Sequence, residues 1–86
     1  MNKRYEKSEA LYQRAAKSIP LASQTFSKSV VQYPRGGSPL FLERGKGSRV
    51  TDVDGHEYID LVSGLLPVVL GYADDDVDAA IKEQLE

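Results

Sequence analysis

Near the start of the chain, Tyr5, Leu11, Tyr12, Ala15, Ala16 and Ile19 recur at helical spacing and predict an amphipathic helix over about Tyr5 to Ser18. Pro20 disfavours helical backbone at Ile19 and sets a stop. The periodicity then dissolves. From Leu21 to Pro39, single apolar residues stand among Ser23, Gln24, Thr25, Ser27, Lys28 and Ser29, followed by Pro34, Arg35, Gly36, Gly37, Ser38 and Pro39. An irregular connection of this length is unusual in a compact domain and predicts a surface arm, functional or mobile. Beyond it the pattern is that of sheet. Short strands are expected at Leu40–Glu43, Ser48–Val53 and His56–Leu61, separated by turns at Gly45-Lys46-Gly47 and Asp52-Val53-Asp54-Gly55.

The second of those turns fixes a register. Asp at the first position and Gly at the fourth suit a type I turn, and a glycine bulge then closes the hairpin. Val50 should face Tyr58, and Asp52 should face His56. The competing two-residue turn at Asp54-Gly55 sets Asp52 against Glu57, and facing like charges are unfavourable. The bulged hairpin is therefore expected. After a connection over 64–73, Asp74 is a good N-cap, Asp75 and Asp76 suit the positive end of a helix dipole, and Val77, Ala80, Ile81, Gln84 and Leu85 form one stripe. No Gly, Asn or Pro ends that pattern before Glu86, so a truncated helix is expected. The whole reads as α+β: an N-terminal helix over 1–20, an irregular arm over 21–39, a small three-stranded antiparallel sheet over 40–63, a connection, and a helix over 74–86. It is expected to be one incomplete segment.

Length sharpens this. At 86 residues the chain buries only roughly 60–65 % of the surface its unfolded form exposes, so its own core is marginal. Small domains often compensate with disulfides or a structural metal. Here there is no cysteine and one histidine, His56. A net charge of −2 gives no reason to expect nucleic acid or an anionic membrane as partner. The apolar run Leu65 to Leu70 is far short of the ~20 residues of a membrane span, and Met1 to Arg14 lacks the apolar core of a signal peptide. The cytoplasm is the default expectation.

The candidate chemistry is sparse. If Gly55 took the sixth place of a calcium loop, Asp52 and Asp54 would fall correctly at the third and fifth. The first place is then Val50 and the twelfth is Leu61, so two ligands are lost. Gly45-Lys46-Gly47 lacks the length and the terminal Lys-Ser/Thr of a phosphate loop. A lone histidine beside a turn reads as a solvated strand residue, and Asp74 to Asp78 reads as helix capping. No nucleophile, base and orienting group fall together.

The order of the motifs carries more. Ile19-Pro20, Gly37-Ser38-Pro39-Leu40-Phe41, Gly45-Lys46-Gly47, Asp52-Val53-Asp54-Gly55-His56-Glu57-Tyr58-Ile59-Asp60 and Leu70-Gly71-Tyr72 together resemble the N-terminal region of class III aminotransferases. The branch resembled is that of glutamate-1-semialdehyde 2,1-aminomutase and its aminotransferase relatives. The resemblance implies the N-terminal part of the small domain of a fold-type I transferase that uses pyridoxal 5′-phosphate. It also implies a homodimer, a small-molecule substrate, and docking onto the remainder of a parent chain. In the family a lysine far downstream holds the cofactor as a Schiff base, an aspartate pairs with the pyridine nitrogen, and later loops hold the phosphate. No lysine here matches that position, so the resemblance implies no catalytic, cofactor-binding or metal residue in this chain.

What it does imply is a substrate side. An ungapped count from Ile19 sets Thr25 and Lys28 where the aminomutase holds a substrate carboxylate with Ser and Arg. Lysine attracts an anion but lacks arginine's bidentate fork. Gly64-Leu65-Leu66-Pro67 stands where the aminomutase has Ser-Trp-Gly-Pro at the active-site mouth, which adds Gly64 and Leu65. The run Gln24-Thr25-Phe26-Ser27-Lys28-Ser29 with Gln32-Tyr33-Pro34 is similar to aminotransferases of amino-sugar biosynthesis. Transamination of an amino acid or amino-sugar precursor is thus implied for the parent. An aminomutase segment and a non-catalytic assembly module are the competing readings. The ligand count gives a first prediction. Calorimetric titration of the chain with calcium should give no micromolar binding, and micromolar affinity abolished by Asp54→Ala would contradict it.

Overall fold

The computed structural model describes residues 3–86. Helix α1 spans Glu6–Ala15, strands β1, β2 and β3 span Leu42–Lys46, Arg49–Asp52 and Glu57–Ile59, and helix α2 spans Asp75–Leu85. The strands form one antiparallel sheet in the order β1-β2-β3.

Helix α1 is preceded by a 3₁₀ turn at Lys3–Tyr5, and Tyr5 offers it no side-chain cap. The cap comes instead from the β2–β3 turn. Asp54 accepts the Lys7 N–H at 2.7 Å and the Ser8 N–H at 3.1 Å, placing a carboxylate on the positive end of the helix dipole. Ser8 is buried, and its hydroxyl accepts the Leu40 N–H at 3.0 Å just before the sheet. At the other end the helix closes with Ile19 extended, φ −124° and ψ 120°, as Pro20 requires.

The arm contains two 3₁₀ turns, Pro20–Ala22 and Phe26–Lys28. Buried Ser29 donates to the Phe26 carbonyl at 2.7 Å and accepts the Val31 N–H at 3.3 Å. Arg35 then ties the arm back to α1. Its guanidinium bonds both carboxylate oxygens of Glu9 and lies 4.2 Å from the centre of the Tyr12 ring. That pair is exposed, so it locates the arm more than it stabilises the chain.

In the β2–β3 hairpin, Val50 pairs with Tyr58 and Thr51 with Glu57. The Asp52 N–H donates to the His56 carbonyl at 2.9 Å, and the Gly55 N–H donates to the Asp52 carbonyl at 3.1 Å. Gly55 has φ +91°, the conformation that places glycine at a bulge of this kind. The expected register is the observed one. The first strand, however, lies further along than expected, and Gly45-Lys46-Gly47 is not a three-residue turn. Gly45 and Lys46 belong to β1, and only Gly47 and Ser48 turn. The physical reason is that Gly47 alone takes a positive φ, +59°, while Gly45 lies where an aromatic ring covers the strand.

Asp52 organises this hairpin. It is fully buried, and its carboxylate accepts the N–H of Asp54 at 3.0 Å, the N–H of His56 at 2.8 Å and the Tyr58 hydroxyl at 2.8 Å. The His56 Nδ1 lies 3.1 Å from it. Both aspartates of the supposed calcium loop are thus committed to the fold.

Apolar burial is slight. Val50 is the buried apolar residue among those described, while Leu61, Leu66, Val69 and Leu85 are each at least 79 % exposed. Helix α2 buries no residue. The accessible surface is 6583 Å², against roughly 5,000 Å² for a self-contained monomer of 9.5 kDa. The radius of gyration is 14.5 Å, against about 12 Å for a globule of this length. Among the described residues no helix is long and apolar enough to cross a membrane.

Burial of Asp52 tends to raise its pKa, but the hydrogen bonds from the His56 backbone, Tyr58 and the His56 ring hold it below the usual 3.8. Arg35 and Gln13 hold Glu9 below 4.5. Folded values below the unfolded ones mean that the contribution is complete above about pH 4.5 and is lost as the pH falls through the folded values. Helicity and hairpin signals should therefore hold on acidification to about pH 4.5 and decline below 3.8. Far-ultraviolet circular dichroism against pH checks this, and a decline already complete at pH 5 would contradict it.

Candidate functional site

The connection from Asp60 to Tyr72 is irregular but held by hydrogen bonds at both ends. It leaves β3 through an Asx turn. Asp60 Oδ1 accepts the Val62 N–H at 2.8 Å and the Ser63 N–H at 3.3 Å. The chain then winds through Ser63, Gly64, Leu65 and Leu66, with φ of +53°, +59°, +69° and +90°. Local bonds hold this turn: Leu65 N–H to Val62 O at 3.1 Å, Leu66 N–H to Ser63 O at 3.0 Å, and Val68 N–H to Ser63 O at 3.1 Å.

The connection is closed at its far end by Tyr72. The N–H and carbonyl of Tyr72 exchange hydrogen bonds of 2.9 Å with Gly47. Its ring lies over Gly45, where a β-carbon would come within 2.8 Å of Cγ. Its hydroxyl donates to Asp60 Oδ2 at 2.5 Å. That bond holds the Asp60 carboxyl below its ordinary value, while the carboxylate, with burial, pushes the Tyr72 hydroxyl up to about 12. Gly71, at φ +88°, lies where a β-carbon would stand 3.0 Å from Gly47 Cα and carbonyl. Glycine at both positions lets the two backbones approach. Gly47, Ser48, Asp60, Ser63, Val68 to Gly71 and Tyr72 together line a shallow cleft.

The residues that the sequence singled out fall into two separate turns. Thr25 and Lys28 share the arm's second turn, where the Lys28 N–H donates to the Thr25 carbonyl at 3.2 Å. The Lys28 amine donates to Gln24 Oε1 at 3.2 Å. Gly64 and Leu65 share the turn after Asp60, Leu65 being 44 % exposed. Neither pair lines the cleft, and a second cleft is lined by Tyr5, Ser8, Glu9, Arg35, Gly36, Ser38 and Leu40. Among the described residues no cluster of His, Cys, Asp and Glu could hold a metal ion. The pairing of Asp60 with Tyr72 was missed in the sequence. Its signal was faint: a half-buried Asp just past β3 and a Gly-Tyr, twelve residues apart.

Residues 32–86 match the family described as aminotransferase class-III. The chain belongs to that family. It is 46 % identical to glutamate-1-semialdehyde 2,1-aminomutase 2 of Exiguobacterium sibiricum over 79 residues, 91 % of this chain and 17 % of the relative. It is 35 % identical to 3-aminobutyryl-CoA aminotransferase of Cloacimonas acidaminovorans over 93 % of this chain and 19 % of that one. In structure it superposes on a transaminase solved with PLP bound with a TM-score of 0.77 and 34 % identity, covering 93 % of this chain and 18 % of the other. The chain thus spans under a fifth of the length of the relatives it matches.

The Tyr72 ring on Gly45 gives a steric test. Gly45→Ala should cost roughly 1–3 kcal/mol, since the new methyl must displace the ring. A urea midpoint unchanged from that of the parent sequence would show that the ring does not rest on Gly45.

Proposed function

We propose that this chain forms the substrate-facing N-terminal segment of an aminotransferase that uses pyridoxal 5′-phosphate to move an amino group to or from an amino acid or amino-sugar precursor. The match of residues 32–86 to the class III family carries this reading. The PLP-bound transaminase supports the cofactor.

The described residues do not themselves fit that cofactor. Their buried side chains are Ser8, Ser29, Val50 and Asp52, and none is an amine. Every buried side-chain polar atom already has a partner, so none is left aimed at a phosphate or a pyridine nitrogen. The Lys46 amine lies between the Ala73 carbonyl, 2.6 Å, and Asp75, 3.0 Å. The electron-sink chemistry belongs to the cofactor and to lysine, aspartate and phosphate-binding groups elsewhere in the protein. This segment contributes binding. Lys28 offers a point charge to a substrate anion, Thr25 a hydroxyl beside it, and Gly64 with Leu65 an apolar rim at the entrance. The exposed Leu61, Leu66, Val69 and Leu85 fit docking onto the rest of the same protein, which we take to be a cytoplasmic homodimer.

The identity to the Exiguobacterium protein favours a second reading, an aminomutase segment. Lys28 in place of the arginine, and Leu65 in place of the tryptophan, weigh toward transamination.

Mixed with the cofactor, the 86-residue chain should show no stoichiometric absorbance at about 410–430 nm, the range of a lysine-bound imine of this cofactor. In the full-length enzyme, Lys28→Ala should raise KM for an anionic substrate roughly three- to tenfold and leave kcat within twofold, because it removes binding alone. A lysine-bound band in the isolated chain, or a fall in kcat with constant KM, would overturn the assignment.

A further inference from the structure

The turn that carries Gly64 and Leu65 has an unusual backbone, and something must hold it. Ser63, Leu65 and Leu66 all take positive φ, a region that L side chains rarely adopt. Such a conformation persists only where its surroundings over-determine it. The local bonds from Leu65, Leu66 and Val68 fix the turn internally but do not place it on the sheet. Placement comes through Asp60. One of its oxygens holds the Val62 and Ser63 N–H groups that enter the turn, and the other holds the Tyr72 hydroxyl. Tyr72 is anchored in turn by its two backbone bonds to Gly47 and by its ring on Gly45. A continuous path of contacts therefore runs from β1 through Tyr72 and Asp60 into the turn.

We propose that Tyr72 is a positioning residue for the substrate entrance: its hydroxyl clasps Asp60 and so fixes where the Ser63–Leu66 turn presents Gly64 and Leu65. The clasp stands on this geometry alone, and its kinetic consequence rests on the substrate-facing reading proposed above. The hydroxyl touches no reacting atom. Its effect is exerted through the carboxylate, so it acts on where substrate is held rather than on the chemical step.

The test uses the full-length enzyme. Tyr72→Phe keeps the ring on Gly45 and removes only the hydroxyl. Amide hydrogen exchange at Val62, Ser63, Leu65 and Leu66 should quicken about tenfold, as expected for losing one hydrogen bond to a charged acceptor. KM for the amino substrate should rise roughly three- to tenfold, with kcat within twofold and bound cofactor unchanged. Asp60→Asn provides a second variant if Tyr72→Phe does not fold. Its amide oxygen still accepts the Val62 and Ser63 N–H groups, while its NH₂ can only donate to the Tyr72 oxygen, a weaker neutral bond in place of the charged one, so the same shifts should appear at reduced size. Unchanged exchange in either folded variant overturns the proposal. Faster exchange with unchanged KM supports the clasp and overturns the substrate-facing reading.

Discussion

The structure depends on two carboxylates in one hairpin turn. Asp52 faces inward, where three hydrogen-bond donors and the His56 ring converge on it away from solvent. Buried without those donors, such a charge would be strongly destabilising; with them it locks the turn. Asp54 is held by that same turn, and its oxygens reach the first turn of α1. Sheet and helix are therefore joined by polar geometry rather than by an apolar interface. The Ser8 hydroxyl repeats the arrangement on the other side by holding the Leu40 N–H.

This explains how a chain with so small a core keeps a defined shape. The secondary elements are fixed by caps, turns and one clasped connection, while the surfaces that would ordinarily bury them remain open. Val77, Ile81 and Leu85 make a helix stripe that is 40 %, 51 % and 81 % exposed, and Ile59 at the end of β3 and Leu61 beyond it also face solvent. Hydrophobic burial is the dominant favourable term in folding. A segment that buries so little apolar surface is well specified locally and weakly supported globally.

Much of this was legible in the sequence. The β2–β3 register followed from Asp at the first turn position and Gly at the fourth, because like charges at Asp52 and Glu57 ruled out the alternative. Asp74 as a helix cap followed from residue type, and its carboxylate does hold the Val77 N–H at 3.0 Å. The turn at Gly45 was misread, since two glycines flanking a lysine look alike whether one or both must turn. What separates them is the Tyr72 ring over Gly45, a contact across 27 residues of sequence that no local pattern encodes. Ser8, the most buried position of α1, was invisible for the same reason. Its partner is an amide 32 residues away. The likeness to aminotransferases was legible only as an order of motifs, while Asp60 and Tyr72 became a pair only in three dimensions.

The cap on α1 has a consequence for synthesis. Because the carboxylate lies 47 residues downstream of Lys7, the helix leaves the ribosome with those N–H groups unanswered. At about 5–20 residues per second the missing partner follows roughly 2–10 seconds later. During that interval water takes the place of Asp54. Helix α1 is thus made well before the carboxylate that caps it.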